Sequence, residues 1–140
     1  MEREKIVREE FLRLINEGYL CGPASLMALA KAYEIPLCYE LKCQSELFTK
    51  GGAVYDRCAF FQSAAVLIGL CLGRTIPTVD RKRYREAMEM LSATFIKNHN
   101  GYFCGQFKDC GKDSRVAQAL LNTTVWAFEK IGVNSYKYNL

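Results

Sequence analysis

The sequence predicts an all-α fold, in which a single compact domain of five or six helices packs around a central apolar helix at about residues 54–72. Apolar residues recur at three- and four-residue steps through most of the chain, and the alternation typical of strands is nearly absent. No repeat or linker divides the 140 residues, so residues 1–140 are expected to form a single helical domain. Half of the residues are hydrophobic and three are proline, which excludes disordered, collagen-like and coiled-coil chains.

Three helices are expected before the central one. An amphipathic pattern predicts the first over residues 2 to about 17. The second opens at Cys21, carries Pro23 early, where a missing N–H does no harm, and ends before Pro36. A shorter third helix is expected over about residues 37–48.

The central helix has no charged residue after Arg57. A helix that is apolar on every face is buried on every face, so the other helices should pack against it. Ala65, Gly69 and Gly73 recur every four residues and form a small-residue stripe. Such a stripe allows close approach of a neighbouring helix, either within the chain or in a homodimer.

Two more helices are expected in the second half. The fifth follows an N-cap at Asp80 and runs to about Lys97. Residues 99–112 are rich in glycine and form the long irregular segment, and a last helix then ends at Gly132.

Charge and hydropathy exclude two classes of partner. The 19 Lys and Arg residues against 15 Asp and Glu are spread along the chain, and the basic run at residues 81–85 is followed by Glu86 and Glu89, so nucleic acid is not expected. The longest uncharged run, residues 58–73, spans roughly 24 Å against about 30 Å of hydrocarbon, so no membrane span is expected. The N-terminus lacks the pattern of a signal peptide, and we expect a cytoplasmic protein.

Seven cysteines against one histidine point to thiol chemistry. The count is odd, so the cysteines cannot all form disulfides within one chain. The expected cytoplasmic location disfavours disulfides, and a chain of this length needs none to stabilise its core. No C-x-x-C occurs, which excludes thioredoxin motifs, zinc ribbons and rubredoxin-like sites. Sites of four thiolates, or of three thiolates and one imidazole, remain open.

Four cysteines occupy positions suited to chemistry. Cys21 and Cys58 lie at or near helix starts, where exposed N–H groups and the helix dipole stabilise a thiolate. Five residues separate Cys104 from Cys110 in the glycine-rich segment, where two sulfurs can bind one metal or form a disulfide. Each of the four can also serve as a small buried hydrophobe. Packing is the preferred interpretation of the remaining three, Cys38, Cys43 and Cys71.

This arrangement resembles the C_GCAxxG_C_C family of redox-active proteins over about residues 21–128. Members share a cysteine that opens a helix, a glycine pair, a Cys-Gly-Ala-x-x-Gly segment, a Gly-Leu-x-x-Gly-Arg run and a third cysteine after an Asn/Gly turn. The matching stretches are Cys21-Gly22-Pro23, Gly51-Gly52, Cys58-Ala59-Phe60-Phe61-Gln62-Ser63, Gly69-Leu70-Cys71-Leu72-Gly73-Arg74 and Asn100-Gly101-Tyr102-Phe103-Cys104. Larger residues replace the small ones of the motif at Ala59, Phe60 and Ser63, and the family's last cysteine lies further downstream than Cys110.

The resemblance implies a cytoplasmic redox protein whose four cysteines bind an iron–sulfur cluster or another thiophilic metal. Cys21, Cys58 and Cys104 match by position, and Cys110 by proximity. A related domain joined to a haem protein is suspected to hold an iron–sulfur cluster. The electron donor and acceptor of such a protein are not indicated by the sequence.

Two alternatives stay open. One is metal-free thiol–disulfide chemistry, in which Cys104 and Cys110 form the exchanging pair. The other is a helical interaction module without any cofactor, whose cysteine site has decayed, as the replacements in the motif suggest. Enzymatic activity is undecided: His99 with a cysteine and an asparagine permits a nucleophilic triad on paper, which any chain with one histidine and several cysteines does.

Overall fold

A computed structural model describes residues 2–52, 56–73, 82–107 and 114–133. Within these ranges the chain forms six α-helices and two 3-10 turns, the turns lying at Ser45–Phe48 and Cys104–Gln106. The helices are α1 (Glu2–Asn16), α2 (Cys21–Ala32), α3 (Tyr39–Gln44), α4 (Ala59–Leu72), α5 (Lys82–His99) and α6 (Ser114–Ile131). The predicted all-α fold is confirmed.

The five longer helices close into a ring. Helix α1 packs on α2, α2 on α4, α4 on α5, α5 on α6, and α6 returns to α1. The short α3 lies at the edge, against α2 and the first 3-10 turn. Because each helix is amphipathic or apolar, the ring buries one continuous core.

Aromatic rings from different helices meet inside this core. Pairs of such rings contribute about 0.5–1.5 kcal/mol beyond the area that they bury. The three pairs that join helices or their ends are Phe11–Phe60 at 5.5 Å between ring centroids, Tyr33–Phe128 at 5.0 Å and Phe61–Phe95 at 5.4 Å. Phe60 therefore fills space in the core at a position where the C_GCAxxG_C_C motif has a small residue.

The predicted start of the central helix is wrong. Helix α4 begins at Ala59 rather than near residue 54, and Cys58 is its N-cap. The residues before it, from Asp56, are not helical, because they pair with a distant part of the chain through the bridge between Arg57 and Phe103. Residues 53–55 lie outside the described ranges.

The expectation that this helix is buried on every face is also wrong. Its buried face includes Phe60, Ala64 and Ile68, but the face with Ala65 and Gly69 is half-exposed. A Cβ atom built on Gly69 meets nothing within 4 Å among the described residues. The small-residue stripe therefore carries no close approach of a neighbouring helix in the described part of the chain.

The other predicted helices differ from the structure at their ends. The third is shorter than predicted, since α3 stops at Gln44 and a 3-10 turn continues the chain. The N-cap predicted at Asp80 lies outside the described residues.

No described helix combines the length and apolar character needed to cross a membrane.

Candidate thiol site

Three of the predicted functional cysteines come together at one end of the helix ring. Cys21, Cys58 and Cys104 are free cysteines from three separate segments, and together they are called the thiol site below. They lie close enough that charge on Cys104 and on Cys21 raises the pKa of Cys58. Charge on Cys21 also raises the pKa of Cys104. The fourth predicted residue, Cys110, lies outside the described residues.

A short antiparallel pairing joins Cys58 to the segment that carries Cys104. The backbone N–H of Cys58 donates to the carbonyl oxygen of Tyr102 at 2.7 Å. The N–H of Cys104 donates to the carbonyl oxygen of Asp56 at 2.5 Å. Because each cysteine supplies one of these two bonds, the pairing fixes both of their backbones.

The N-terminus of α2 brings Cys21 to the same place. Gly22 lies so close to the first 3-10 turn that a Cβ atom on it would be 2.1 Å from the carbonyl oxygen of Ser45. One turn into α2, the Ser25 hydroxyl lies 2.8 Å from the Ser63 hydroxyl of α4. The two helices therefore meet near their N-termini, where Cys21 and Cys58 are found.

Cys58 is the buried member of the thiol site, with 3% of its surface exposed. Burial raises its pKa to about 12, because the thiolate loses its hydration. The backbone N–H groups of Phe61 and Phe60, in the first turn of α4, lower the pKa, but by less than burial raises it. The Cys58 side chain forms no capping hydrogen bond to α4. The sequence-based expectation of a thiolate favoured by the helix start is therefore wrong for Cys58.

Cys104 opens the second 3-10 turn and is half-buried. Burial is the main cause that raises its pKa, and charge on Cys21 adds to it. The positive charge of Lys50 acts in the opposite direction. Lys50 has a left-handed backbone, with φ of 54°, immediately before the Gly51-Gly52 pair.

Stacked aromatic rings support the backbone at Tyr102. The ring of Tyr102 lies parallel to the ring of Phe61, at 4.5 Å between centroids and with 16° between planes. Phe61 also meets Phe95 of α5 edge-on. The carbonyl that accepts the Cys58 N–H is thus attached to a residue anchored in the core.

The side chain of Gln106 closes the loop before Cys104. Its Oε1 accepts a hydrogen bond from the backbone N–H of Phe103 at 2.9 Å, and its Nε2 donates to the carbonyl oxygen of Asn100 at 3.1 Å. The loop therefore has bonds at both ends of the stretch that presents Cys104.

The other described cysteines and the histidine lie elsewhere. Cys38 and Cys43 are exposed, so the packing role predicted for them is wrong, because α3 is short and buries none of its residues. Cys71, half-buried at the far end of α4, packs against the core as predicted. The Nε2 of His99 lies 2.7 Å from the Thr123 hydroxyl, so its ring is engaged between α5 and α6, and burial lowers its pKa.

Sequence reasoning missed the two serines and the lysine of this region. In the sequence, Ser63 is only a departure from the family motif, and Ser25 carries no signal of its own. A polar residue inside an otherwise apolar helix was the available signal, since buried hydroxyls need a partner. Lys50 gave no such signal, because its proximity to Cys104 depends on the folding of a distant loop.

No group of three or more His, Cys, Asp or Glu side chains in the described ranges has the spacing that holds a single metal ion. Three soft sulfur donors are nevertheless the ligand type that iron–sulfur clusters and thiophilic metals take. The chain matches no protein-family model, no curated protein and no solved structure. Membership of the C_GCAxxG_C_C family therefore stays a prediction.

Proposed function

We propose that the thiol site is the centre of a cytoplasmic redox protein of the C_GCAxxG_C_C type, and that it binds an iron–sulfur cluster. Cys21, Cys58 and Cys104 are three of the ligands and Cys110 is the fourth. The observation that carries the proposal is the backbone pairing that brings Cys58 and Cys104 together, with Cys21 near enough for its charge to raise the pKa of both. A cluster bound there supplies one-electron chemistry, and its partner is an unidentified electron donor or acceptor.

The donor set favours a cluster over a single ion. Charge on Cys21 raises the pKa of Cys58 and of Cys104, while the described residues contain no group of side chains that suits one ion. A polynuclear cluster spreads its charge over several atoms and keeps its thiolate ligands further apart than a tetrahedral ion does. A donor set made of cysteines agrees with cluster ligation.

The protonation of the thiols favours metal binding over thiol–disulfide exchange. Attack on a disulfide requires a thiolate, and burial holds the pKa of Cys58 and of Cys104 above the ordinary value. A thiophilic metal replaces the proton on binding, so a high pKa makes binding dependent on pH without preventing it. The N-termini of α2 and α4 and the positive charge of Lys50 would stabilise the resulting negative charge.

The test is anaerobic purification or reconstitution with iron and sulfide, followed by counts of iron and sulfide per chain and by the visible spectrum. The native chain is expected to bind a stoichiometric cluster. Serine variants of the four proposed ligands should lose it, and serine variants of the other three cysteines should retain it. The first set is Cys21→Ser, Cys58→Ser, Cys104→Ser and Cys110→Ser, and the control set is Cys38→Ser, Cys43→Ser and Cys71→Ser.

Two outcomes would overturn the proposal in favour of a stated alternative. Repeated metal-free protein that reversibly loses two hydrogens on mild oxidation, with a disulfide at Cys104 located by mass spectrometry, would favour thiol–disulfide exchange. Metal-free protein whose seven thiols all titrate and that forms no such disulfide would favour a helical interaction module. Equal loss of iron from the control variants would also contradict the assignment of ligands.

A further inference from the structure

Two buried serine hydroxyls connect the helix ends that carry Cys21 and Cys58. The Oγ of Ser25 lies 2.6 Å from the carbonyl oxygen of Cys21 and 2.8 Å from the Oγ of Ser63. Neither serine has any exposed surface. Ser63 lies on α4, one turn and a residue after Cys58, so the hydroxyls form a direct link from the Cys21 backbone to α4.

The Ser25 hydroxyl has two carbonyl acceptors on its own helix, that of Cys21 at 2.6 Å and that of Gly22 at 3.0 Å. If Ser25 donates to the carbonyl of Cys21, then Ser63 can donate to the Oγ of Ser25. The other acceptor near Ser63 is the carbonyl of Gly22, at the longer distance of 3.4 Å. The short bonds therefore run in one direction, from α4 through Ser25 to the backbone of Cys21.

We infer that Ser25 and Ser63 are positioning residues of the thiol site, whose hydrogen bond sets the separation of Cys21 from Cys58. The role of this hydrogen bond in ligand placement rests on the proposed function, but the bond itself can be tested without a cluster. An unpaired buried hydroxyl is costly, so the pair favours one relative placement of the two helices and disfavours sliding between them. The spacing of two ligands is set in this way through the backbones of the helices that carry them.

The bond directions make the two serines unequal. Removing the Ser25 hydroxyl leaves Ser63 with the distant carbonyl of Gly22 as its acceptor and leaves the Cys21 carbonyl without this donor. Removing the Ser63 hydroxyl leaves Ser25 its short bond to Cys21. Ser25→Ala is therefore expected to loosen the thiol site more than Ser63→Ala.

The test measures alkylation of individual cysteines by iodoacetamide in the metal-free protein, with peptides quantified by mass spectrometry. The readout is the rate for Cys58 divided by the rate for Cys71, which lies on the same helix and serves as an internal control. Ser25→Ala should raise this ratio by up to about tenfold, which corresponds to the loss of one buried hydrogen bond. Ser63→Ala should raise it less, and the double variant should match Ser25→Ala, because both changes break one link.

The control variant is Thr124→Val, which removes a fully buried hydroxyl that bonds within α6 at 3.0 Å. It should lower the urea midpoint without changing the ratio. If Ser25→Ala lowers the midpoint and leaves the ratio unchanged, the serines merely pack and the inference is wrong. Should Ser25→Ala fail to fold by circular dichroism, the smaller change Ser63→Ala decides in the same way. Because no metal is present, failure of cluster binding leaves this result intact.

Discussion

The backbone N–H of Cys58 donates to the carbonyl oxygen of Tyr102 at 2.7 Å, so the residue that caps α4 is held by the loop that leads to Cys104. The Tyr102 ring stacks on Phe61 in the first turn of the same helix. Backbone and side chain of one residue thus tie the loop to the start of α4. Two thiols that are far apart in sequence are thereby held on one rigid unit.

Stability of the metal-free protein should fall as the pH rises above about 9. The pKa of Cys58 is about 12 in the folded chain against an ordinary value of 9.0, so the unfolded chain loses this proton first. The contribution is fully present below pH 9 and is lost as the pH rises through the folded pKa. Cys58→Ala should therefore show a shallower decline than the native chain when urea midpoints are compared between about pH 8 and about pH 10.5.

The exposed Cys38 provides the control for this experiment. Cys38→Ala should follow the native chain throughout the pH range, because Cys38 is exposed. Tyr33, whose pKa burial raises, is present in all three proteins, so its contribution cancels in the comparison. Parallel curves for Cys58→Ala and the native chain would show that Cys58 ionises as freely in the folded state as in the unfolded state.

Gly51→Ala should damage the turn before Cys58 more than an alanine at another left-handed glycine. Gly51 has φ of 60°, and a Cβ atom on it would lie 2.5 Å from the backbone nitrogen of Asp56. Gly18 has φ of 100° with nothing within 4 Å of its Cβ position among the described residues. We expect Gly18→Ala to cost about 1–2 kcal/mol from backbone strain, and Gly51→Ala about 3 kcal/mol or more.

Chemical unfolding of these two glycine variants measures the difference. Equal losses of stability would mean that the turn at Gly51 can move away from Asp56, and the close approach would then have no energetic weight. A larger loss at Gly51 accompanied by faster alkylation of Cys104 would connect the turn to the thiol site, because the Cys104 N–H bonds to Asp56.

Gly69→Ala should stabilise the chain. Gly69 lies inside α4, and its Cβ position is open among the described residues. Alanine in a helix interior is about 0.5–1 kcal/mol more favourable than glycine, so the midpoint of thermal unfolding should rise. The control is Gly22→Ala, which should be strongly destabilising because its Cβ would meet the Ser45 carbonyl.

Light scattering on the Gly69→Ala protein also tests the homodimer suggested by the stripe. An open face without a closely packed partner accepts a methyl group, so the molecular mass should equal that of the native chain. A native dimer that dissociates on Gly69→Ala would instead show that Gly69 is in close contact with a second copy.

Glu10 should contribute to stability at neutral pH and lose that contribution in acid. Its nearly buried carboxylate accepts bonds from Arg13 and from Lys31, the latter at 2.8 Å, and these lower its pKa from 4.5 to about 2. A lowered folded pKa gives stability that is present above pH 4.5 and lost as the pH falls through about 2. Glu10→Gln should cost about 1 kcal/mol at pH 7, since both cations are exposed and screened by water.

Unfolding between about pH 2 and about pH 7 tests this assignment. The Glu10→Gln curve should converge with the native curve towards low pH. Glu17→Gln is the matched control, because Glu17 pairs with the same arginine at an exposed position and should change stability by less than about 0.5 kcal/mol. A pH-independent difference between Glu10→Gln and the native chain would assign the effect to packing.

The sequence by itself determined the helical class and the approximate helix bounds. Apolar periodicity is a local signal, so α1, the start of α2 and the C-terminal ends of α5 and α6 lie within about two residues of prediction. The placement of Cys21 as the first residue of α2 was also local, since Pro23 suits a first turn. The grouping of Cys21, Cys58 and Cys104 was anticipated from a family resemblance rather than from any local pattern.

Tertiary structure alone decided where α4 begins and how its cap behaves. The extended residues before α4 are stabilised by partners about 45 residues away, beyond the reach of helix propensity. Tertiary contacts also decide the direction in which the pKa of Cys58 shifts. A helix N-terminus favours the thiolate, but the packing of α2, α4 and the Tyr102 loop removes water from the sulfur, and the loss of hydration is the larger effect.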